Sequence, residues 1–107
     1  MVRITILYPK VDNGFFDVEY YREVHSRLAI QRLRSGIVSL TIEIAKKVES
    51  FPPPRFVAAG HYLCHSFEEF LETYLPHAQE LQQDVKNYTD IEPIIQVSEV
   101  ITIDGAN

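Results

Sequence analysis

Four histidines, six tyrosines and one cysteine are the side chains of this 107-residue chain with the chemistry to move a proton, hold a metal ion or attack a substrate. His25 stands out. It ends the stretch Phe16-Asp17-Val18-Glu19-Tyr20-Tyr21-Arg22-Glu23-Val24-His25 and, at helical spacing, shares a side with Val18, Tyr21, Val24 and Leu28. An imidazole turned inward there titrates near neutrality and suits general acid/base work. The same placement also suits a core histidine bonded to a backbone carbonyl. His77 follows Pro76 at the edge of a second helical stripe, where it either faces the same cavity or caps the surface. His61 and His65 share a strand and a parity, but four residues of extended chain separate them by about 13 Å. That is too far for one metal ion, and no metal site is expected. Nothing near Cys64 in sequence would lower its pKa, so it reads as a small buried apolar residue. Tyr8, Tyr62, Tyr74 and Tyr88 read as core or interface residues. Glycine-rich phosphate loops, G-x-S-x-G and paired-cysteine motifs are absent.

The elements that must position these residues are legible from periodicity. Residues 2–8 alternate, Val2, Ile4, Ile6 and Tyr8 against Arg3, Thr5 and Leu7, which predicts a first strand ended by Pro9. Asp17 suits the N-cap of the first helix, and Phe16 and Tyr21 suit a hydrophobic staple across it. The apolar stripe loses phase after Ala29, where Ile30 and Leu33 drift off it and Arg32 lies on it. The helix is therefore expected to bend or end before Ser35-Gly36, with Gly36 as its stop. Residues 37–47 alternate again as strand two. Pro52-Pro53-Pro54 predicts a stiff exposed loop between antiparallel strands. Residues 56–64 form strand three, apolar on both faces, with Gly60 marking a close approach or a bulge. Ser66 and Glu69 read as a capping box for a second helix, which Pro76 splits into two short ones. Residues 94–103 alternate as strand four, and Asp104 to Asn107 form a tail.

The order β-α-β-β-α-β is the ferredoxin-like split arrangement: an α+β fold with a four-stranded antiparallel sheet and both helices on one face. The length fits one domain over residues 1–107. The sheet face away from the helices keeps apolar residues on several strands, so a homodimer packing sheet on sheet is expected. A net charge of -5 without a basic cluster excludes nucleic acid as a partner. No apolar run approaches the ~20 residues that span a bilayer. A single cysteine and an alternating N-terminus point to the cytoplasm.

The chain also resembles a known family. Ile4-Thr-Ile-Leu-Tyr-Pro9, Phe16-Asp17 with Tyr20-Tyr21 and His25, Val57-Ala58-Ala59-Gly60-His61, Ser66-Phe67-Glu68-Glu69-Phe70, Pro76-His77-Ala78, Asp84, Asn87-Tyr88-Thr89-Asp90-Ile91-Glu92-Pro93 and Ile95-Gln96-Val97-Ser98-Glu99-Val100 are similar to the EthD family of dimeric α+β barrels. The resemblance spans nearly the whole chain. It implies a homodimer with a small apolar cavity between each sheet and its helices. It also implies a range of cofactor-independent chemistries on small hydrophobic metabolites, among them isomerase, lyase or cyclase and monooxygenase types. A non-catalytic carrier and a ligand-free accessory dimer are the alternatives. On the enzymatic reading His25 is the catalytic acid/base, Tyr21 or Tyr88 orients substrate, and His61 or His77 assists. One departure stands out. The family usually continues from this histidine into Met-Pro-Leu, whereas Ser26-Arg27-Leu28 follows here. The helix is then free to run on, and Arg27 adds charge near the expected pocket mouth.

Overall fold

A computed structural model describes residues 1–105; Ala106 and Asn107, the end of the expected tail, lie outside the described residues. Strand β1 (Val2–Pro9) lies inside a four-stranded sheet of order β2-β3-β1-β4, with β2 Ser39–Ile44, β3 Phe56–Cys64 and β4 Ile94–Glu99. Every pairing is antiparallel. Register follows from the alternation. Ile4 faces Tyr62 and Val97, Ile6 faces Gly60 and Ile95, and Tyr8 faces Ala58. These residues lie on the helix side of the sheet. The open face carries Arg3, Thr5 and Leu7 beside His61, Thr41, Glu43 and Gln96, a more polar surface than the sequence pattern suggested. A register shift falls between Tyr8 and Pro9, where proline cannot donate to the ladder.

The first helical segment is one continuous rod of three parts. Helix α1 (Val18–Tyr20) opens it, a π-helical turn follows over Tyr21–His25, and helix α2 (Ser26–Leu33) continues it. A 3₁₀ turn over Arg34–Gly36 closes it. Asp17 caps the rod through Oδ1, which accepts from Tyr20 N–H at 3.0 Å. The expected staple forms as an edge-to-face pair of Phe16 and Tyr21 with ring centroids 5.1 Å apart. Gly36 does mark the end, but not through the left-handed conformation of a helix stop: Gly105 is the only glycine with positive φ among the described residues. A Cβ on Gly36 would sit 2.6 Å from Thr73 Cβ and 3.1 Å from Glu69 O, so glycine is required for close packing against the helix that follows β3.

That element splits at Pro76 as expected. Helix α3 (Phe67–Tyr74) passes through a 3₁₀ turn (Leu75–His77) into helix α4 (Ala78–Val85). Ser66 Oγ accepts from Glu69 N–H at 3.1 Å. The reciprocal bond of a full capping box, from Ser66 N–H to the Glu69 carboxylate, is not formed among the described residues. Strand β4 ends at Glu99, four residues short of the alternating pattern, and β2 is likewise trimmed at both ends. Single backbone bonds carry the pairing one residue further, from Val38 to Leu63, Ala45 to Val57 and Val100 to Met1, and past them alternation alone does not define a strand.

Two apolar clusters hold the layers together. Ile4, Ala29, Leu33, Cys64, Phe70 and Leu81 form one; Tyr8, Tyr21, Ala58, Tyr88 and Ile91 form the other. No helix of the described residues is long and apolar enough to cross a membrane.

Candidate functional site

His25 closes the π-helical turn, and that turn explains its placement. Ser26 bonds to the Tyr21 carbonyl twice, through its backbone N–H and through Oγ at 2.7 Å. The extra residue in the turn shifts the inward stripe by one position. Val24 is therefore exposed, Tyr21, His25, Ser26, Ala29 and Leu33 are buried, and the loss of phase seen in the sequence is accounted for. Leu33, which drifts off an ideal stripe, is in fact a core residue.

Asp84, near the end of α4, completes the arrangement. Its Oδ2 lies 2.8 Å from His25 Nδ1, and the two side chains are only 9% and 11% exposed. Its Oδ1 accepts from the Tyr20 hydroxyl at 2.6 Å and from Asn87 Nδ2 at 3.1 Å. Burial pushes the Asp84 carboxyl upward, but bonds from Tyr20, His25 and Asn87 outweigh it and hold the group below the usual 3.8. An ionised carboxylate only accepts, so Nδ1 carries the proton and donates to it. His25 is itself held below 6.5, chiefly because burial disfavours the imidazolium, with Asp84 opposing. At neutral pH the ring is thus neutral and its Nε2 holds a free lone pair.

Nε2 makes no hydrogen bond among the described residues, yet no buried side-chain nitrogen or oxygen there is unpartnered. Nε2 must therefore open onto accessible space. His25 lines a cavity of about 680 Å³ between the sheet and the helices, together with Ile4, Leu33, Tyr62, Phe70 and Tyr74. A lone pair oriented by a buried carboxylate and facing an apolar chamber is the arrangement of a general base.

The other expected site residues divide. Tyr21 stacks on His25, centroids 6.2 Å apart, and Tyr88 packs against it at 4.7 Å. Tyr88 is completely buried and bonds hydroxyl to hydroxyl with Tyr8. Tyr21 and Tyr88 hold the imidazole from behind and are not among the residues lining the cavity. His61 lies on the open face, where its ring bonds Glu43 and Thr5, so the sheet separates it from His25. His77 is half-buried in the 3₁₀ turn and does not line the cavity. Arg27 is exposed beside Glu23, away from the cavity lining. Asp84, which bonds His25 and Tyr20, and Tyr62, which lines the cavity, were not among the expected site residues. The available signal for Asp84 was an acid set beside Leu81 and Val85 on the inward stripe of α4. Gly60 proves to be a close approach: a Cβ there would meet the Tyr21 hydroxyl at 2.8 Å.

Two outcomes follow. Tyr88→Phe is expected to lower folding stability by about 1 kcal/mol, the worth of one neutral hydrogen bond, while leaving any His25-dependent activity within a few-fold. Urea denaturation and a rate measurement check this; a large loss of activity at near-normal stability would instead make Tyr88 a substrate contact. The second outcome concerns pH. Between the depressed folded pKa of His25 and 6.5 the unfolded chain binds more protons, so stability falls as pH is lowered through that window. Asp84 acts in the same direction lower down, its contribution being lost as pH drops below 3.8 through its depressed value. The urea midpoint should decline from about pH 6.5 downward, and His25→Phe should remove the upper arm of that decline.

Comparison with known proteins agrees with this architecture. No protein-family model and no curated protein sequence matches the chain. An EthD-like protein from Ralstonia eutropha has a solved structure that superposes with a TM-score of 0.89 at 33% identity, over 99% of this chain and 96% of that one. An EthD family protein from Bacillus halodurans shares the fold at a TM-score of 0.73 and 13% identity, over 94% and 99% of the two chains. A protein from Bacteroides fragilis, described as dimeric, of unknown function and of ferredoxin-like fold, matches at 0.60 and 10% identity, over 92% and 95%. With a relative one-third identical along nearly its full length, this chain belongs to the EthD-like family.

Proposed function

We propose that the protein is a cofactor-independent enzyme for a small hydrophobic metabolite, with His25 as the catalytic acid/base. The observation that carries this reading is the His25–Asp84 pair at the wall of an apolar cavity, with Nδ1 committed to the carboxylate and Nε2 free. Isomerase, lyase or cyclase and cofactor-free oxygenase reactions of acidic C–H or O–H groups can each open with such a proton transfer. Asp84, Tyr21 and Tyr88 position the imidazole. The test is a panel of neutral lactones, ketones and phenols screened by thermal shift, each hit then followed for product by mass spectrometry. Conversion of at least one hit supports the reading. Binding of several without conversion of any would make the protein a carrier.

The working form is a homodimer on this reading. Ile95 and Val97 on the edge strand are 63% and 50% exposed, and Ile101 and Ile103 beyond it are 75% and 73% exposed. An apolar edge of this kind is normally covered. Sedimentation at micromolar concentration is expected to give a dimer; a monomer there would remove this part of the proposal.

A further inference from the structure

The cavity states its own preferences once its polar atoms are assigned. Among the described residues Glu92 is the only acidic side chain that lines it, and no lysine or arginine does. Behind His25 stands the Asp84 carboxylate. A carboxylate or phosphate ligand would lose its hydration there with no cation to replace it. The walls are aromatic: Phe70 and Tyr74 stack with centroids 5.5 Å apart, and Tyr62 tilts against Phe70 at 5.8 Å.

Among the described residues three tyrosines line the chamber, and the hydroxyls of two of them have side-chain partners. Tyr8 bonds Tyr88, and Tyr74 accepts from the Gln82 amide at 2.9 Å. Tyr62, which lines the cavity, makes no side-chain hydrogen bond among the described residues and is not an orphaned buried group, so its hydroxyl is accessible. Burial raises its pKa, which keeps it a donor throughout the neutral range. On the helix-covered face of β3 it is the next position after Gly60, over which the Tyr21 hydroxyl lies. The cavity thus sets an imidazole lone pair, His25 Nε2, and the Tyr62 hydroxyl, which has no side-chain partner among the described residues, at one chamber.

We infer that the substrate class is a neutral ring ketone, and that Tyr62 is a catalytic residue which hydrogen-bonds the carbonyl oxygen while His25 removes the α-proton. This rests on the acid/base reading of His25 and extends it. Nε2 takes the proton from the α-carbon. The electron pair of that C–H bond forms the new C=C bond, and the carbonyl π pair moves onto oxygen. The Tyr62 O–H stabilises the resulting enolate. Return of a proton from Nε2 to carbon restores the ketone, so the step needs no further reactant.

The probe is 2-tetralone in D₂O, with α-hydrogen exchange followed by NMR and phenylpyruvate as the anionic comparison. The wild-type chain is expected to bind 2-tetralone and accelerate its exchange above background, and to leave phenylpyruvate at background. Tyr62→Phe should slow the exchange by about 10²–10³-fold, the range for loss of one oxyanion donor, with the dissociation constant changed only a few-fold. His25→Gln should abolish it. A urea titration of each variant confirms folding, and Glu92→Lys, an exposed change, should admit phenylpyruvate without affecting the fold. Exchange that depends on His25 but is unchanged in Tyr62→Phe overturns the role of Tyr62 alone. Failure to bind 2-tetralone, or equal exchange of phenylpyruvate, overturns the substrate class. Binding of 2-tetralone with no exchange overturns the acid/base reading beneath both.

Discussion

In a His25→Ala variant, turnover of any compound that the wild-type chain converts is expected to fall by about 10²–10⁴-fold, the usual contribution of a positioned acid/base. The loss should appear mainly in kcat. Tyr62, Phe70 and Tyr74, which give the cavity its aromatic wall, are untouched by the change. Removing the ring leaves space beside Tyr21 and Tyr88, which flank it at 6.2 and 4.7 Å. Added imidazole should occupy that space and restore part of the rate in proportion to its free-base fraction. A variant that folds normally and keeps the wild-type rate would end the assignment of His25. Rescue by imidazole separates a lost base from a general disturbance of the site, because packing defects alone do not depend on the pKa of the added base.

Asp84→Ala tests the other half of the pair. It removes the acceptor for three donors at once, from His25, Tyr20 and Asn87. Loss of the charge-assisted bond from His25 alone is expected to lower folding stability by about 1.5–3 kcal/mol, because Nδ1–H is left buried without a partner. The same change should move the His25 pKa further down, since Asp84 is the influence that raises it against burial. Urea denaturation measures the first effect and the pH dependence of the His25 ring proton resonances the second. Asp84→Asn keeps an acceptor of similar shape and should show a smaller loss of stability but the same direction of pKa change. If the His25 pKa rose in either variant, the tautomer deduced from the pair would be wrong, and with it the free lone pair at Nε2.

The fold was readable from the chain because its information is local. Alternation in residues 2–8, the apolar run of residues 56–64, the caps at Asp17 and Ser66 and the break at Pro76 each depend on neighbours a few positions away, and each recurs in the structure. His25 was readable for the same reason, as an ionisable residue on an apolar stripe. Its neighbours were less so. Tyr21 and Tyr88 do gather around it, but as support behind the ring. His61 was drawn in by its chemistry alone, and strand parity places it on the opposite face of the sheet.

What the residue pattern determines by itself is therefore the order of elements, the face each strand buries and the inward turn of His25, since periodicity and capping are properties of the local chain. Tertiary structure decided the rest. The π-helical turn re-phases the first helical rod and brings Ser26 and Leu33 inward. The meeting of His25 with Asp84, 59 positions along the chain, depends on how α4 crosses α1 and the π-turn. The free hydroxyl of Tyr62 is defined by which of its neighbours find other partners. A hydrogen bond between distant residues needs relative positions accurate to a fraction of an ångström, and only the packed core of sheet and helices supplies that precision.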